Sequence, residues 1–198
     1  YTSDVPGVPQ GDMFICGVSK SAWHAVGRQV ASLLTFVNRT YSERGEVRLA
    51  SRDWRDHPVV EFNLLSDKRD LDRLMTSFRM FGKLYATPEM QAVTSDPFPA
   101  TYSDKVRSVG YVNLRNKILT QVAGLMMDGP AQLRQYLIEN VIIEGFKFED
   151  CMRDDEVLEA FVRKAAIGVW HASCSCRMGA DGDPMAVTDN RGRVRGGI

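Results

Sequence analysis

The sequence predicts an α+β fold, an antiparallel sheet with helices packed on one face. Three observations lead there. Short strand-like segments crowd the first third, and stretches with apolar residues at helical spacing dominate residues 68–165. No alternating strand–helix–strand pattern and no Gly-x-Gly-x-x-Gly occurs anywhere, which removes the parallel, dinucleotide-binding architecture from this chain.

Residues 1–12, rich in Pro, Gly, Ser and Asp, read as an irregular lead-in. Met13–Val18 reads as a strand, followed by a polar break at Ser19, Lys20 and Ser21. Gln29–Asn38, with Val30, Leu33, Leu34, Phe36 and Val37, fits strand or helix. Strand is preferred because Ser42-Glu43-Arg44-Gly45 resembles a turn with Glu46–Ala50 as its return strand. Val59–Leu64 is a further short strand.

Ser66 and Asp67 offer an N-cap, and Leu71, Leu74, Met75, Phe78, Phe81 and Tyr85 then follow at helical spacing until Pro88. Such a stripe is core packing in any globular fold. Residues 94–115, polar and carrying Pro97 and Pro99, read as a loop. Asn116–Met127 reads as a helix, which Asp128-Gly129-Pro130 breaks, with Pro130 suited to the first turn of the next one. Phe146–Phe148 is compatible with a strand. Asp154 or Asp155 caps a helix that turns Leu158, Phe161, Val162 and Ala165 inward, with Gly168 at its end. Asp181-Gly182-Asp183-Pro184 is a turn. Ala186–Thr188 and Arg193–Arg195 form a hairpin around Asp189-Asn190-Arg191-Gly192.

With 198 residues the chain can build one sizeable domain, and 25 basic against 25 acidic side chains give no pull toward nucleic acid or an acidic membrane. No apolar run is long enough to span a bilayer, and no signal peptide opens the chain. Cys16, Cys151, Cys174 and Cys176 are too few and too scattered for a disulfide scaffold. A reducing, cytoplasmic setting is the expectation. A chain that opens on Tyr1 reads as a processed product or an excerpt.

The chemistry-bearing stretch is Trp170-His171-Ala172-Ser173-Cys174-Ser175-Cys176-Arg177-Met178-Gly179. Small residues allow a close approach to the backbone, and an imidazole exchanges protons near neutral pH. His171 is therefore the candidate general base, although by composition alone a hydrogen-bonded structural histidine fits as well. His24 and His57 sit in a polar break and a surface loop and are weaker candidates. Cys174 and Cys176 lack the four ligands of a closed zinc site, so no metal is expected there, and small buried hydrophobes are the favoured role. Ser173 and Ser175 adjoin His171, but the glycine-flanked nucleophile elbow is missing. Asp67-Lys68-Arg69-Asp70 reads as a solvated charged face.

The same stretch resembles the His-x-x-Gly-Thr-Cys-x-Met-Gly signature of the glucose–methanol–choline (GMC) oxidoreductases. Tyr41–Ser51 is similar to that family's Ser-Arg-Gly-x-Val-x-Leu segment, with one residue more between serine and arginine. His57–Asp67 is similar to its Pro-x-Ile-Asp-x-Asn-Tyr-Leu-Ser-Asp segment, and Asp183–Gly196 to the stretch after the signature. The matched pieces run from about residue 41 to the end, in the family's order; residues 94–150 match nothing. Cys174 stands in place of the usual glycine and Ser175 in place of threonine.

The resemblance implies that residues 1–198 are a substrate-binding domain fragment of a larger FAD enzyme. The FAD-binding domain would lie upstream and serve as the chain's partner. A second active-site His or Asn would lie beyond its end. It implies oxidation of a small-molecule primary or secondary alcohol, with His171 taking the hydroxyl proton while hydride passes to flavin N5. The fragment alone is expected to be inactive and not to hold FAD. The competing reading is a free-standing ligand- or protein-binding module derived from such a domain. A transmembrane segment and a nucleic-acid partner are not expected on either reading.

Overall fold

A computed structural model describes residues 1–18, 32–101, 104–168 and 176–196. It is α+β, with two antiparallel strand pairs and a helical majority. The chain divides into two compact units. One holds Tyr1–Tyr41 and Asp67–Ala166, the other Ser42–Ser66 and Ile167–Ile198.

In the first unit β1 (Met13–Val18) pairs with β2 (Ser32–Val37), in a register that sets Met13 opposite Val37 and Val18 opposite Ser32. Side chains alternate between the faces. Met13 is buried, while Phe14 on the other face is half exposed and stacks on Phe36 with ring centroids 5.7 Å apart. The expectation that β2 returns through Glu46–Ala50 is wrong. In the second unit β3 (Glu46–Arg48) pairs instead with β4 (Val59–Glu61). The reason is length and pattern: β1 offers β2 a partner of six residues with matching apolar alternation, whereas β3 has three. Strand β4 is also shorter than Val59–Leu64, because Asn63 and Leu65 take positive φ (51° and 60°) and end it.

The remaining elements belong to the first unit. α1 (Lys68–Tyr85) begins at Asp67, whose carboxylate accepts from the Arg69 N–H. That hydrogen bond and the Arg69 guanidinium hold the Asp67 carboxyl down at about 2. Leu71, Met75 and Phe81 are buried, as the stripe predicts. Thr87 caps α2 (Pro88–Gln91), with Pro88 in its first turn. Residues 94–115 are not simply a loop, since α3 (Asp104–Gly110) lies within them. α4 (Leu114–Met127) starts two residues earlier than the apolar pattern shows, because Asn113 supplies a cap to the Asn116 N–H at 2.8 Å. Pro130 precedes α5 (Ala131–Leu137), which runs into a π-helical turn, Ile138–Ile142.

Phe146–Phe148 is not a strand. Phe148 opens α6 (Phe148–Arg153), and Asp154 caps α7 (Asp155–Ala165) with both the Glu156 and Val157 N–H groups. The aromatics are consumed by packing instead. Phe78 lies 5.8 Å from Phe148 and 5.4 Å from Phe161, and Phe146 lies 5.6 Å from Phe161. Such pairs contribute roughly 0.5–1.5 kcal/mol each beyond their buried area. With Leu158 and Cys151 fully buried, this cluster joins α1, α6 and α7 into the main core. Burial pushes the Cys151 thiol up to about 11.

A buried ionic knot fastens the strands' ends to α1. Arg73 is inaccessible to solvent and donates to Asp12 at 3.0 Å, to Asp70, and to the carbonyls of Arg39 and Arg69 at 2.9 and 3.2 Å. Asp12 also accepts from the Ser3 N–H and hydroxyl, both at 2.7 Å. Asp70 accepts from the Thr40 hydroxyl and the Tyr41 N–H. The Asp67–Asp70 cluster is therefore only partly a solvated face, since Asp70 points inward, one helical turn before Arg73.

Candidate functional site

His171 lies outside the described residues, with Trp170, Ser173 and Cys174. The structure describes the two ends of their stretch, Ile167–Gly168 and Cys176–Gly179, both in the second unit. The leading end passes the β4 exit: a Cβ on Gly168 would sit 3.9 Å from the Phe62 ring.

The trailing end is held by a lattice of backbone hydrogen bonds. The Arg177 carbonyl accepts from the Val187 N–H at 2.9 Å, and the Gly179 N–H donates to the Thr188 carbonyl at 3.0 Å. Met178 thus bridges Thr188 in parallel, and Thr188 bridges Val194 in antiparallel sense. This bears out the hairpin read around Asp189–Gly192. The Gly192 φ of 77° and the Asp189 carboxylate make the turn: Asp189 accepts from the Arg191 and Arg193 N–H groups at 2.9 and 3.0 Å. Those bonds and the Arg193 guanidinium hold the Asp189 carboxyl below its usual value.

Two further residues pin this segment, and no sequence motif pointed to them. Arg195 donates to the Gly179 carbonyl at 2.9 Å and to the Asp181 carbonyl at 3.0 Å, clamping the loop from the far side of the hairpin. Gly179 itself sits where no Cβ fits, because one would lie 2.7 Å from the Ala186 Cβ and 2.8 Å from an Asp183 carboxylate oxygen. A small residue at Gly179 was legible as part of the signature; its reason, close approach to Ala186, was not.

Of the other candidates, His24 lies outside the described residues, and His57 is exposed in its surface loop. Cys176 is exposed, not buried as expected, because it precedes the pinned Arg177–Gly179 segment on its open side. Among the described residues no three His, Cys, Asp or Glu side chains converge as a metal site would require. Nor do they form a dinucleotide cradle, since both sheets are antiparallel pairs and no glycine turn joins a parallel strand to a helix. The residues described do not fit FAD by themselves.

The second unit is poor in core. Ala186 is its buried apolar residue among those described, while Val47, Val60, Phe62, Ile167, Met178 and Val187 are all exposed. In the first unit, Tyr85, Phe148, Asp96 and Glu149 help line an open cleft of about 360 Å³, and no candidate residue belongs to it.

Fold and signature together define a region of an oxidoreductase acting on alcohols. The family model for GMC oxidoreductases, in its C-terminal part, matches residues 41–197, and the chain belongs to that family. It is 30% identical over 167 residues to the 5-(hydroxymethyl)furfural oxidase of Methylovorus sp. (strain MP688), covering 84% of this chain and 24% of that protein. It is 27% identical over 153 residues to the oxygen-dependent choline dehydrogenase of Stenotrophomonas maltophilia (strain K279a), covering 77% of this chain and 19% of the relative. The enzyme of the same name from Yersinia pestis (strain Pestoides F) is 29% identical over 153 residues, covering 77% and 18%. The chain therefore spans a quarter or less of the length of these curated relatives.

Proposed function

We propose that this chain is the substrate-binding portion of an FAD-dependent alcohol oxidoreductase whose flavin is held by another part of the same polypeptide. The observation that carries the reading is the family match over residues 41–197, which includes the His171 signature. The second unit's apolar side chains, exposed for want of a core of their own, support it, because they suit a surface that another layer of protein covers. The substrate is a primary or secondary alcohol, and the flavin, when bound, supplies the hydride acceptor.

His171 takes the hydroxyl proton. An alkoxide releases hydride far more readily than a neutral alcohol, and an imidazole titrates where the proton must be accepted. The pinned Arg177–Gly179 segment fixes the chain six residues beyond it, so the base would hang from an anchored stem rather than a free loop.

The test is anaerobic stopped-flow reduction of the flavin by alcohol in the full-length enzyme. His171→Ala should slow that step by about 10²–10⁴-fold, the range general base catalysis supplies. Reduction at the parent rate would remove His171 from the mechanism. Titrating the 198-residue chain with FAD should leave flavin fluorescence unchanged; micromolar binding would refute the division of labour.

A further inference from the structure

α4 is folded with its polar side in and its apolar side out. Asn116 and Thr120, one turn apart, are buried. Asn116 donates to the Ser108 and Tyr111 carbonyls at 2.8 and 2.9 Å, and the Thr120 hydroxyl to the Asn116 carbonyl at 2.8 Å. These bonds stay within α3, the α3–α4 turn and α4 itself. At 100° per residue, Leu114, Ile118, Leu119, Val122, Leu125 and Met126 fall within one arc on the opposite side. All six are exposed, Leu114 by 74% and Leu125 by 60%. The principal neighbours of α4 are α3 and α5, and neither covers this stripe.

The charges on α4 run against its own dipole. Its first turn contains no acidic residue, and Arg115 and Lys117 crowd its positive end. No acidic residue occurs between Asp104 and Asp128, and Asp128 caps the negative end. A helix cationic at its N-terminus and anionic at its C-terminus is complementary to an antiparallel copy of itself.

We propose that the apolar stripe of α4 is a docking surface for a second copy of this chain, paired antiparallel across a twofold axis beside Val122. In that arrangement Ile118 meets the partner's Leu125, and Arg115 reaches the partner's Asp128. Each basic end then lies along the partner's negative helix end, and both stripes leave water together. The contact is isologous, so it closes at two copies. It does not depend on flavin or on His171.

The experiment uses the full-length polypeptide that carries this chain. Sedimentation equilibrium at micromolar concentration should give the dimer mass. Arg115→Asp should shift it to monomer, and Arg115→Asp combined with Asp128→Arg should restore the dimer. Both substitutions complement the dipole of their own helix, so loss of the dimer is not loss of α4. Under mild oxidation Val122→Cys should form an intersubunit disulfide that the parent protein lacks. Leu114→Cys should not, because its two copies lie about 20 Å apart or more along antiparallel helices.

A monomeric parent overturns the proposal, as does a dimer indifferent to Arg115→Asp. Self-cross-linking of Leu114→Cys would show a parallel pair and also overturn it. So would a Val122→Cys thiol that is monomeric and shielded from maleimide, since the rest of the polypeptide would then occupy the stripe. Sedimentation of the monomer with anionic phospholipid vesicles would assign the face to a membrane surface and equally overturn it.

Discussion

Replacing Arg73 by methionine removes the cation from a buried knot and leaves Asp12 and Asp70 facing a side chain that cannot neutralise them. Arg73 and Asp12 are both fully inaccessible at the side chain, and Asp70 is 3% exposed, so water does not screen the loss. The Arg39 and Arg69 carbonyls lose a donor as well. Breaking a buried ion pair by deleting one partner costs about 3–5 kcal/mol. At 1.4 kcal/mol per tenfold, that is about two to three and a half decades in the equilibrium for opening α1.

The assay is hydrogen exchange read by mass spectrometry on peptides covering Lys68–Tyr85, which reports this unit without interference from the other. Their slowest amides should exchange faster by that factor in Arg73→Met. Adding Asp12→Asn and Asp70→Asn should recover much of the loss, because neutral amides no longer need a buried cation. Acceleration of less than about tenfold in the single variant would refute the claim that the ion pairs hold α1 to the strands.

The acid limb of stability should depend on Asp12. Burial raises its carboxyl, but the Ser3 N–H, the Ser3 hydroxyl and Arg73 together lower it below its ordinary 3.8. Its contribution is therefore complete above about pH 4 and is lost as pH falls through the lower folded value; Asp12→Asn should flatten this part of a pH-dependent urea denaturation series. Gly179→Ala must push Ala186 and Asp183 aside, so it should slow flavin reduction in the full-length enzyme while leaving exchange in α1 unchanged; an unaltered reduction rate would show that the pinned segment does not position the signature. Cys151, buried and raised to about 11, should stay unmodified by iodoacetamide at pH 8, whereas the exposed Cys176 is alkylated, as peptide mass spectrometry would show.

Local signals were legible wherever one residue's chemistry acts on its own neighbours. Asp67 and Asp154 as caps, Pro88 and Pro130 as helix starts, Gly192 in its turn and the stripe of α1 all declared themselves, because caps, φ restrictions and helical spacing are properties of a few consecutive residues. The His171 signature was legible for a different reason: residues that do chemistry recur as a linear string, and that string linked the chain to its family.

What the sequence did not contain is which element packs on which. Glu46–Ala50 has the composition of a return strand, but whether it pairs with β2 or β4 is settled by competition among partners distant in sequence. Phe146–Phe148 has strand-like composition until Phe78 and Phe161 supply aromatic faces for it. Asp70 looks like any surface carboxylate until Arg73 turns it inward beside Asp12. The stripe of α4 has the same pattern as a core helix, and only the tertiary structure shows it facing out. Periodicity establishes that a helix has two faces; the free energy of burying one depends on what stands opposite, and that is a property of the folded chain.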